Sequence, residues 1–553
     1  LSYITSDTFL TLQTKKNMRV QFLGVPQQTT TGEGLFAQHT EVRPLCHAVE
    51  IINTPKAFAA LVDTAIYTLK KETAPQNAPL TYIALRRPNA QTFGVSDEEW
   101  QLIKASKENI TGWERVLERT FSALGHQAPD WVISHRCDGD TVFKDACSTL
   151  LKYQLPLATY RNAINFAIFS PTPYNCQILE KIVKPARPVY DTWWEKIETS
   201  AKIELNRKAI ELTTKKLKAG DWALNGLLTD GGVGLQTGDN SSFVGYQADS
   251  RFAARCRTTR AEKLYEAMLK YPEIRQRWTL LEDCHSAQQV ADALETLPET
   301  EVWHIFDDLK GRYDLRLFGK GFLYRIFPPE LVFDLTQLTD TQKTDGIEGI
   351  ATYVPYDKGD KEGNRWYLPY LIDWSVKSVK ILSTDPKARW QGYNFFFRNG
   401  FCWNDVLNPN SQYIKCRLKG KSVNDVKSMS LYDEIGIGDE YFVVSINSYL
   451  FFKVLREFFN GTVAIQINDI RKLPIKLPTE EERSALLRVF EACLSIKKQY
   501  FAGHLERHDA NALLKPYEAE IDRLVNQLYG IEISETVIDE EIEVIEAETE
   551  DDE

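Results

Sequence analysis

Apolar residues near the start of the chain come in short alternating runs. Leu1-Ser2-Tyr3-Ile4 and Ala48-Val49-Glu50-Ile51-Ile52 are rich in β-branched and aromatic side chains and predict strands. Val62-Asp63-Thr64-Ala65-Ile66-Tyr67-Thr68-Leu69 alternates with period two and predicts a third strand, ending at Lys70-Lys71. Residues 12–23 carry helical spacing between them. Together these elements predict the end of an α/β unit over residues 1–75, with a linker at residues 75–79. Residues 76–220 predict a mainly helical connector. Its clearest helix, residues 192–217, sets Trp194, Ile197, Ala201, Leu205 and Leu212 near one face and lysines opposite. Pro185 and Pro188 break the chain before it, and Gly220 stops it.

From residue 221 to 478 the pattern changes to short apolar and aromatic runs punctuated by turn signals, which predicts an α+β domain. Helical periodicity returns at residues 446–459 and 479–501, and a last helix is expected at residues 516–528, ending at Gly530. Residues 479–531 are therefore expected to form C-terminal helices. No repeat of fixed period is visible.

At 553 residues the chain exceeds one core, and 43% apolar with 26% charged residues is the balance of a soluble globular protein. No apolar run is long enough to predict a membrane-spanning helix, and Leu1-Ser2-Tyr3-Ile4 does not read as a signal peptide. The nine cysteines include no C-x-x-C pair, so neither a disulfide framework nor a metal site is expected, and a cytoplasmic location is. His504 and His508 stand four apart on an expected helix, too few for a metal centre.

Charge is distributed unevenly. Residues 532–553 hold twelve Asp and Glu and no Lys or Arg, which accounts for the whole net charge of −11 and leaves the rest at +1. Such a block predicts a disordered acidic tail, either a solubilising tail or a DNA mimic that restrains a basic face. Residues 358–427 hold thirteen Lys and Arg against six Asp and Glu, interleaved with aromatics that include Trp366, Trp374, Trp390, Trp403 and Tyr393. Two readings are open: a nucleic-acid surface, or an aromatic core with a solvated cationic face. The run Gly231-Gly232-Val233-Gly234-Leu235-Gln236-Thr237-Gly238-Asp239-Asn240 is incompatible with a packed helix or a central strand. It predicts either a tight loop joining two domains or a loop whose amides and polar side chains meet phosphates and bases.

Catalytic motifs are missing. The sequence contains no G-x-x-x-x-G-K-[ST] loop, no G-x-S-x-G elbow and no HExxH, and no carboxylate pair stands out at an acid–base spacing.

Ile4-Thr5-Ser6-Asp7-Thr8-Phe9-Leu10 resembles the strand that follows the Asn-Pro-Pro-Tyr motif of class I, S-adenosyl-L-methionine-dependent DNA adenine methyltransferases. Phe58 with residues 62–70 resembles the family's closing β-hairpin. Residues 217–222, leading into the glycine-rich run, are similar to the junction between methylase and target-recognition domains in type IIG restriction–modification enzymes and in the methylases of phage-exclusion (BREX) systems. Further resemblance lies in residues 318–326, in Asn364-Arg365-Trp366-Tyr367-Leu368-Pro369-Tyr370 with Ile372-Asp373-Trp374, and in Asn399-Gly400-Phe401-Cys402-Trp403. Asn460-Gly461-Thr462 and residues 469–475 resemble the exit from a recognition domain, so that the resemblance runs almost to Gly530.

The resemblance implies a fold of three parts: a partial, truncated class I methyltransferase core of α/β type, a helical connector, and an α+β target-recognition domain at residues 221–478. It implies a site-specific adenine-N6 DNA methyltransferase of a restriction–modification or phage-defence system, with double-stranded DNA as partner and S-adenosyl-L-methionine as cofactor of the complete enzyme. Neither the F-x-G-x-G cofactor loop nor Asn-Pro-Pro-Tyr occurs in the sequence. The catalytic residues are thus expected upstream of Leu1 or on a separate catalytic subunit. In the latter case the chain is a non-enzymatic DNA-specificity subunit. By the same resemblance Gln236, Thr237, Gly238 and Asn240 meet the DNA near the flipped adenine. Lys358, Lys361, Arg365, Arg398, Lys419 and Lys421 bind phosphates or base edges. Phe58 is a candidate for one face of the base pocket, against the competing role of a buried core aromatic.

Overall fold

The computed structural model describes residues 2–6, 16–31, 38–54, 64–75, 78–86, 149–156, 173–189, 217–313, 324–359, 366–407, 411–460 and 464–532. They belong to two compact units. The first comprises Leu1–Thr192, Lys453–Thr462 and Ile533–Glu535; the second comprises Trp193–Phe452, Val463–Glu532 and Thr536–Glu553.

Among the described residues of the first unit there are seven strands: β1 (Ser2–Ser6), β2 (Gln27–Thr31), β3 (Gln38–Val42), β4 (His47–Thr54), β5 (Thr64–Lys70), β6 (Pro79–Arg86) and β7 (Thr149–Pro156). Five form a sheet in the order β1-β5-β4-β6-β7, and β2 with β3 makes a separate antiparallel pair. In the sheet β4 runs parallel to β6, while β1 with β5, β4 with β5 and β6 with β7 are antiparallel. Period-two alternation buries Ala65 and Tyr67 of β5. In β4 a register shift between Ala48 and Glu50 changes the phase, so that Ala48 and Ile51 are both buried although three residues apart. The helix Lys16–Phe22 supplies Phe22, whose ring centroid lies 6.1 Å from that of Tyr67.

The expected boundary at residue 75 does not hold. The Ala78 N–H donates to the Pro75 carbonyl at 3.1 Å, and Pro79 opens β6 of the same sheet. Proline is tolerated at a strand's first residue, where no ladder donor is required. Nor does helix begin there: β6 and β7 are strands, and the described helix of this region is Pro173–Val189, widened to π geometry at Leu179–Val183. Pro185 and Pro188 lie inside its last segment rather than breaking the chain. Proline cannot donate to the preceding turn, and the ladder widens just ahead of the first of them. The helix expected at residues 192–217 lies outside the described residues up to position 216, as do the acidic residues after Glu532.

The second unit holds β8 (Trp222–Leu224), β9 (Thr229–Gly232), β10 (Val244–Gln247), β11 (Arg325–Phe327), β12 (Tyr353–Asp357), β13 (Tyr370–Asp373), β14 (Gly400–Asn404), β15 (Cys416–Lys419), β16 (Val423–Asn424), β17 (Ser428–Asp433) and β18 (Pro474–Lys476). A mixed sheet has the order β11-β10-β13-β12-β16, and an antiparallel sheet has the order β15-β14-β17-β9. The ribbon β8-β18 joins entry to exit: Leu224 faces Pro474, and the Leu477 N–H donates to the Asp221 carbonyl at 2.9 Å.

Helices pack against these sheets. Arg251–Lys270 starts at Ser250, whose hydroxyl accepts from the Ala253 N–H, and buries Phe252, Cys256, Leu264 and Ala267 along one stripe. Glu480–Phe501 opens with a reciprocal Thr479–Glu482 capping box and buries Leu486, Phe490, Cys493 and Tyr500. The last helix runs Arg507–Leu528, nine residues earlier than expected, with Pro516 inside it and Ala510, Leu514, Ile521 and Val525 buried. His504 lies ahead of this helix, so it does not share a helical face with His508. The C-terminal helices are no appendage: Trp366 Nε1 donates to Glu518 at 3.2 Å, and the Phe252 and Phe501 ring centroids lie 4.9 Å apart. The helix expected at 446–459 is interrupted at Asn447, whose side chain instead bonds both main-chain groups of Cys416 at 2.9 Å.

Among the described residues no helix is long and apolar enough to cross a membrane, and no three His, Cys, Asp or Glu converge as a metal site would.

Candidate nucleic-acid interface

The glycine-rich run begins as the edge strand β9, paired with β17 through Gly231–Leu431 and Gly232–Ser430. Beyond the strand, main-chain bonds hold it on both sides. The Leu235 N–H donates to the Asn424 carbonyl at 2.7 Å, and Gln236 exchanges two main-chain bonds with Arg389 at 3.2 and 2.9 Å. Gly238 has φ +73°, and a Cβ there would stand 2.7 Å from the Lys387 carbonyl oxygen. Only glycine combines that conformation with that approach. The amides of Leu235 and Gln236 are thus used within the fold, and phosphate contacts through them are excluded.

Thr237 is buried, and its hydroxyl donates to Asn240 Oδ1 at 2.7 Å. It positions Asn240 and does not face a ligand, a correction to the expected DNA contact. Asp239 caps the short helix Asn240–Phe243, accepting from the Ser241 N–H at 3.1 Å and from Lys310 Nζ at 3.2 Å. Burial alone would raise the Asp239 carboxyl, but bonds from Ser241, Ser242 and Lys310 hold it below the usual carboxylate range. Gln236 and Asn240 remain half-buried, and Gly238 is exposed.

The segment bonded to this loop carries cations that the sequence reading did not single out. Lys387 and Arg389 are exposed, and neither side chain has an ion pair or hydrogen bond among the described residues. Lys421 is also exposed and unpartnered there, in the turn between β15 and β16. The Phe397 N–H donates to the Ser422 carbonyl at 2.8 Å, which ties that turn to the same segment. A signal was present in sequence, since Lys387 and Arg389 lie inside the basic aromatic window. What it lacked was the pairing with Gln236.

Several expected phosphate ligands are placed otherwise. Lys419 is fully buried; its ammonium donates to the carbonyls of Arg398 and Ser422 at 2.8 Å each and of Gly420 at 3.3 Å. It has no face toward a phosphate. Burial pushes its pKa down to about 8, opposed by the neighbouring Asp357. Asp357 bonds the Ser422 hydroxyl, and burial raises its carboxyl against the pull of Lys419 and Ser422. Lys358 is half-buried, donates to the Gly359 carbonyl at 3.2 Å and sits 5.5 Å from the Tyr324 ring centre. Arg398 pairs with Glu434 at 2.8 Å and stacks over Tyr432 at 4.7 Å. Phe58, Lys361 and Arg365 lie outside the described residues.

Trp366, Trp374 and Trp403 are core residues with no exposed surface. Their indole N–H groups donate to Glu518, Gln342 and Ile465 respectively, so none is available to stack on a base.

No family model and no curated protein matches this chain. Among solved structures it is similar to the type IIL restriction–modification enzyme MmeI in complex with DNA, at 12% identity over 33% of this chain and 29% of that one, with a TM-score of 0.25. It is also similar to the type IIG restriction endonuclease BpuSI, at 8% identity over 96% of this chain and 47% of that one, with a TM-score of 0.22. The chain therefore spans less than half the length of either solved chain. Overlap at this level carries no residue-by-residue correspondence.

Proposed function

We propose that this chain supplies DNA target recognition to a site-specific adenine-N6 methyltransferase of a restriction–modification or phage-defence system. The observation that carries the reading is the pair Lys387 and Arg389, exposed and without side-chain partners among the described residues, held against the glycine-rich loop by the Gln236–Arg389 backbone pairing. Unpaired cations on a fixed backbone suit phosphates, because no ion pair has to be broken for them to bind. Lys421 extends the patch, and Gln236 and Asn240 supply amides beside it for base edges or sugar.

S-adenosyl-L-methionine does not fit the residues present. The sequence lacks F-x-G-x-G, and among the described residues of the first unit Gly24 is the one glycine, so no glycine-rich turn lies beside a described strand end there. On this reading methyl transfer falls to residues other than the described ones. The order β1-β5-β4, with the antiparallel β4–β5 pair, agrees with the closing hairpin that the resemblance implies. The missing Asn-Pro-Pro-Tyr and cofactor loop favour a second reading, a DNA-specificity subunit that works with a separate catalytic chain.

The test is fluorescence anisotropy of the full chain with a mixed-sequence duplex across about 50 to 200 mM salt, the range over which phosphate contacts weaken steeply. Wild type is expected to bind at the low end. The double variant K387A/R389A is expected to lower the steepness of the log–log salt dependence by about 2, close to one per phosphate contact. No binding of any duplex at the lowest salt defeats the reading.

A further inference from the structure

The turn that follows Arg389 is built to hold an aromatic ring and an amide out of the fold. Gly392 has φ +73°, and a Cβ there would lie 2.2 Å from the Val233 carbonyl, so this turn is seated directly on the glycine-rich loop. Three consecutive phenylalanines then fix it from behind. Phe395 stacks on Tyr432 with ring centroids 5.1 Å apart and planes within 8°, and the Tyr432 hydroxyl donates to the Phe395 carbonyl at 3.1 Å. Phe396 and Phe397 both set edges against Trp374, at 5.5 and 5.6 Å. Phe397 takes φ +60°, which a bulky side chain adopts only where its surroundings impose it.

On the outer side of this anchored turn the pattern reverses. Tyr393 is 48% exposed, and its ring and hydroxyl have no partner among the described residues. Asn394 is exposed and equally unpartnered there, and the unpaired cation Arg389 precedes both. An aromatic face and an amide on a rigid support, beside free cations, form the chemical set that meets stacked bases and their edges. A protein partner is less favoured, because the exposed charges bordering the turn at Lys387, Arg389 and Lys421 are of one sign.

We propose that Tyr393 and Asn394 are the base-contacting pair of this surface, Tyr393 laying its ring against a base step and Asn394 bonding a base edge. This rests on the DNA-binding reading above, with Arg389 and Lys387 supplying the sequence-independent part.

The full chain, as wild type, R389A, N394A, Y393A and Y393F, is taken through selection from a randomised duplex pool at fixed salt. Wild type enriches a motif. R389A enriches the same motif with weaker affinity, whereas N394A loses about tenfold to a hundredfold discrimination at one position of it. With 2-aminopurine placed in turn through that motif, wild type and Y393F raise the fluorescence at one step and Y393A does not. Both side chains are exposed, so neither change threatens folding. If N394A and Y393A keep the wild-type motif, affinity and fluorescence response, this inference is overturned, DNA binding stands, and the turn is left to a protein partner. If wild type binds duplex but enriches no motif, this inference is overturned while DNA binding stands; if it binds no duplex at all, the DNA-binding reading falls and this inference with it.

Discussion

The buried ammonium of Lys419 donates to the main-chain carbonyl of Arg398 at 2.8 Å, from a strand that pairs with the one following Arg398. The same ammonium holds Ser422 and Gly420, so one side chain fixes both the end of the Phe395–Arg398 segment and the turn bearing Lys421. Replacing it by Ala leaves three carbonyls without their donor and takes away the positive charge that offsets the buried Asp357. A loss of about 3 kcal/mol or more is expected for K419A, in the range for breaking a buried charge pair, against a negligible change for K421A. Duplex binding separates them in the opposite sense: K421A lowers the salt slope by about 1. K419A changes affinity only as far as the surface loosens. The pH dependence has a definite sign. With a pKa of about 8 in the fold, Lys419 binds fewer protons there than in the unfolded chain, from pH 8 up to the ordinary lysine value. Its contribution to stability therefore rises with pH across that window. Urea titrations of wild type and K419M should diverge in favour of wild type between pH 8 and 10, and parallel curves would count against a buried ammonium.

Gly238 is where the glycine-rich loop closely approaches the Lys387 main chain. Alanine at φ +73° costs about 1–2 kcal/mol from the left-handed conformation alone, and its methyl would meet the Lys387 carbonyl at 2.7 Å. G238A is expected to lower stability by about 2 kcal/mol or more. It should also weaken duplex binding beyond that of G220A, since Gly220 likewise has positive φ (+90°) but open space at its Cβ position. Thermal melts and anisotropy on the two variants test this; equal binding by both would detach the loop from the interface.

Alkaline stability should fall. Burial pushes the thiols of Cys256 and Cys402 up to about 11, against an unperturbed 9.0. The fold therefore keeps protons that the unfolded chain releases above about pH 9, and stability declines as pH rises from 9 toward 11. Lys419 opposes this only in part, and buried Tyr432 and Tyr441, both raised, add to the decline. Maleimide labelling followed by peptide mapping should show, among the described cysteines, Cys256, Cys402, Cys416 and Cys493 protected at pH 7.5 and half-buried Cys46 and Cys176 labelled ahead of them. Early labelling of Cys402 would contradict its burial.

What the sequence reveals and what it hides divide along a physical line. Local patterns were legible: the alternation of β5, the strand β4, and the Thr479 start of Glu480–Phe501, each set by side chains within a few residues. Proline misled twice, because Pro79 and Pro516 read as boundaries yet sit at a strand's first residue and inside a helix carried by its buried stripe. The basic run misled for a different reason. In β15 the buried positions include Arg417 and Lys419 while Leu418 is half-exposed, an inversion of ordinary patterning. Arg417 donates to Asn404 and Ser428, and Lys419 to the carbonyl of Arg398, partners eleven to twenty-one residues away that no local window contains. The cations that do face solvent, Lys387 and Arg389, were indistinguishable in sequence from the buried ones.

Asp439 offers a test of a charge carried at a loss. It opens the helix Asp439–Ile446, accepts from the Asp433 N–H at 3.0 Å, and is pushed up to about 6 by burial, with Asp433 and Glu440 adding to the rise. A carboxyl raised in the fold stabilises most below the unfolded value and loses that contribution as pH rises through 6. At pH 7.5 the ionised group is therefore a net cost, reduced by partial exposure and by the helix N-terminus, which favours negative charge. Asparagine keeps an oxygen for the Asp433 N–H and removes the charge. D439N is expected to be more stable than wild type at pH 7.5 by about 1 kcal/mol, a rise in Tm of about 2–4 °C for a unit of this size. The advantage should shrink as pH falls through 6 and vanish below about pH 3, where wild type is protonated in both states. A variant less stable than wild type at pH 7.5 would mean that the helix terminus and the Asp433 contact outweigh burial, and that Asp439 is held ionised by design of the fold.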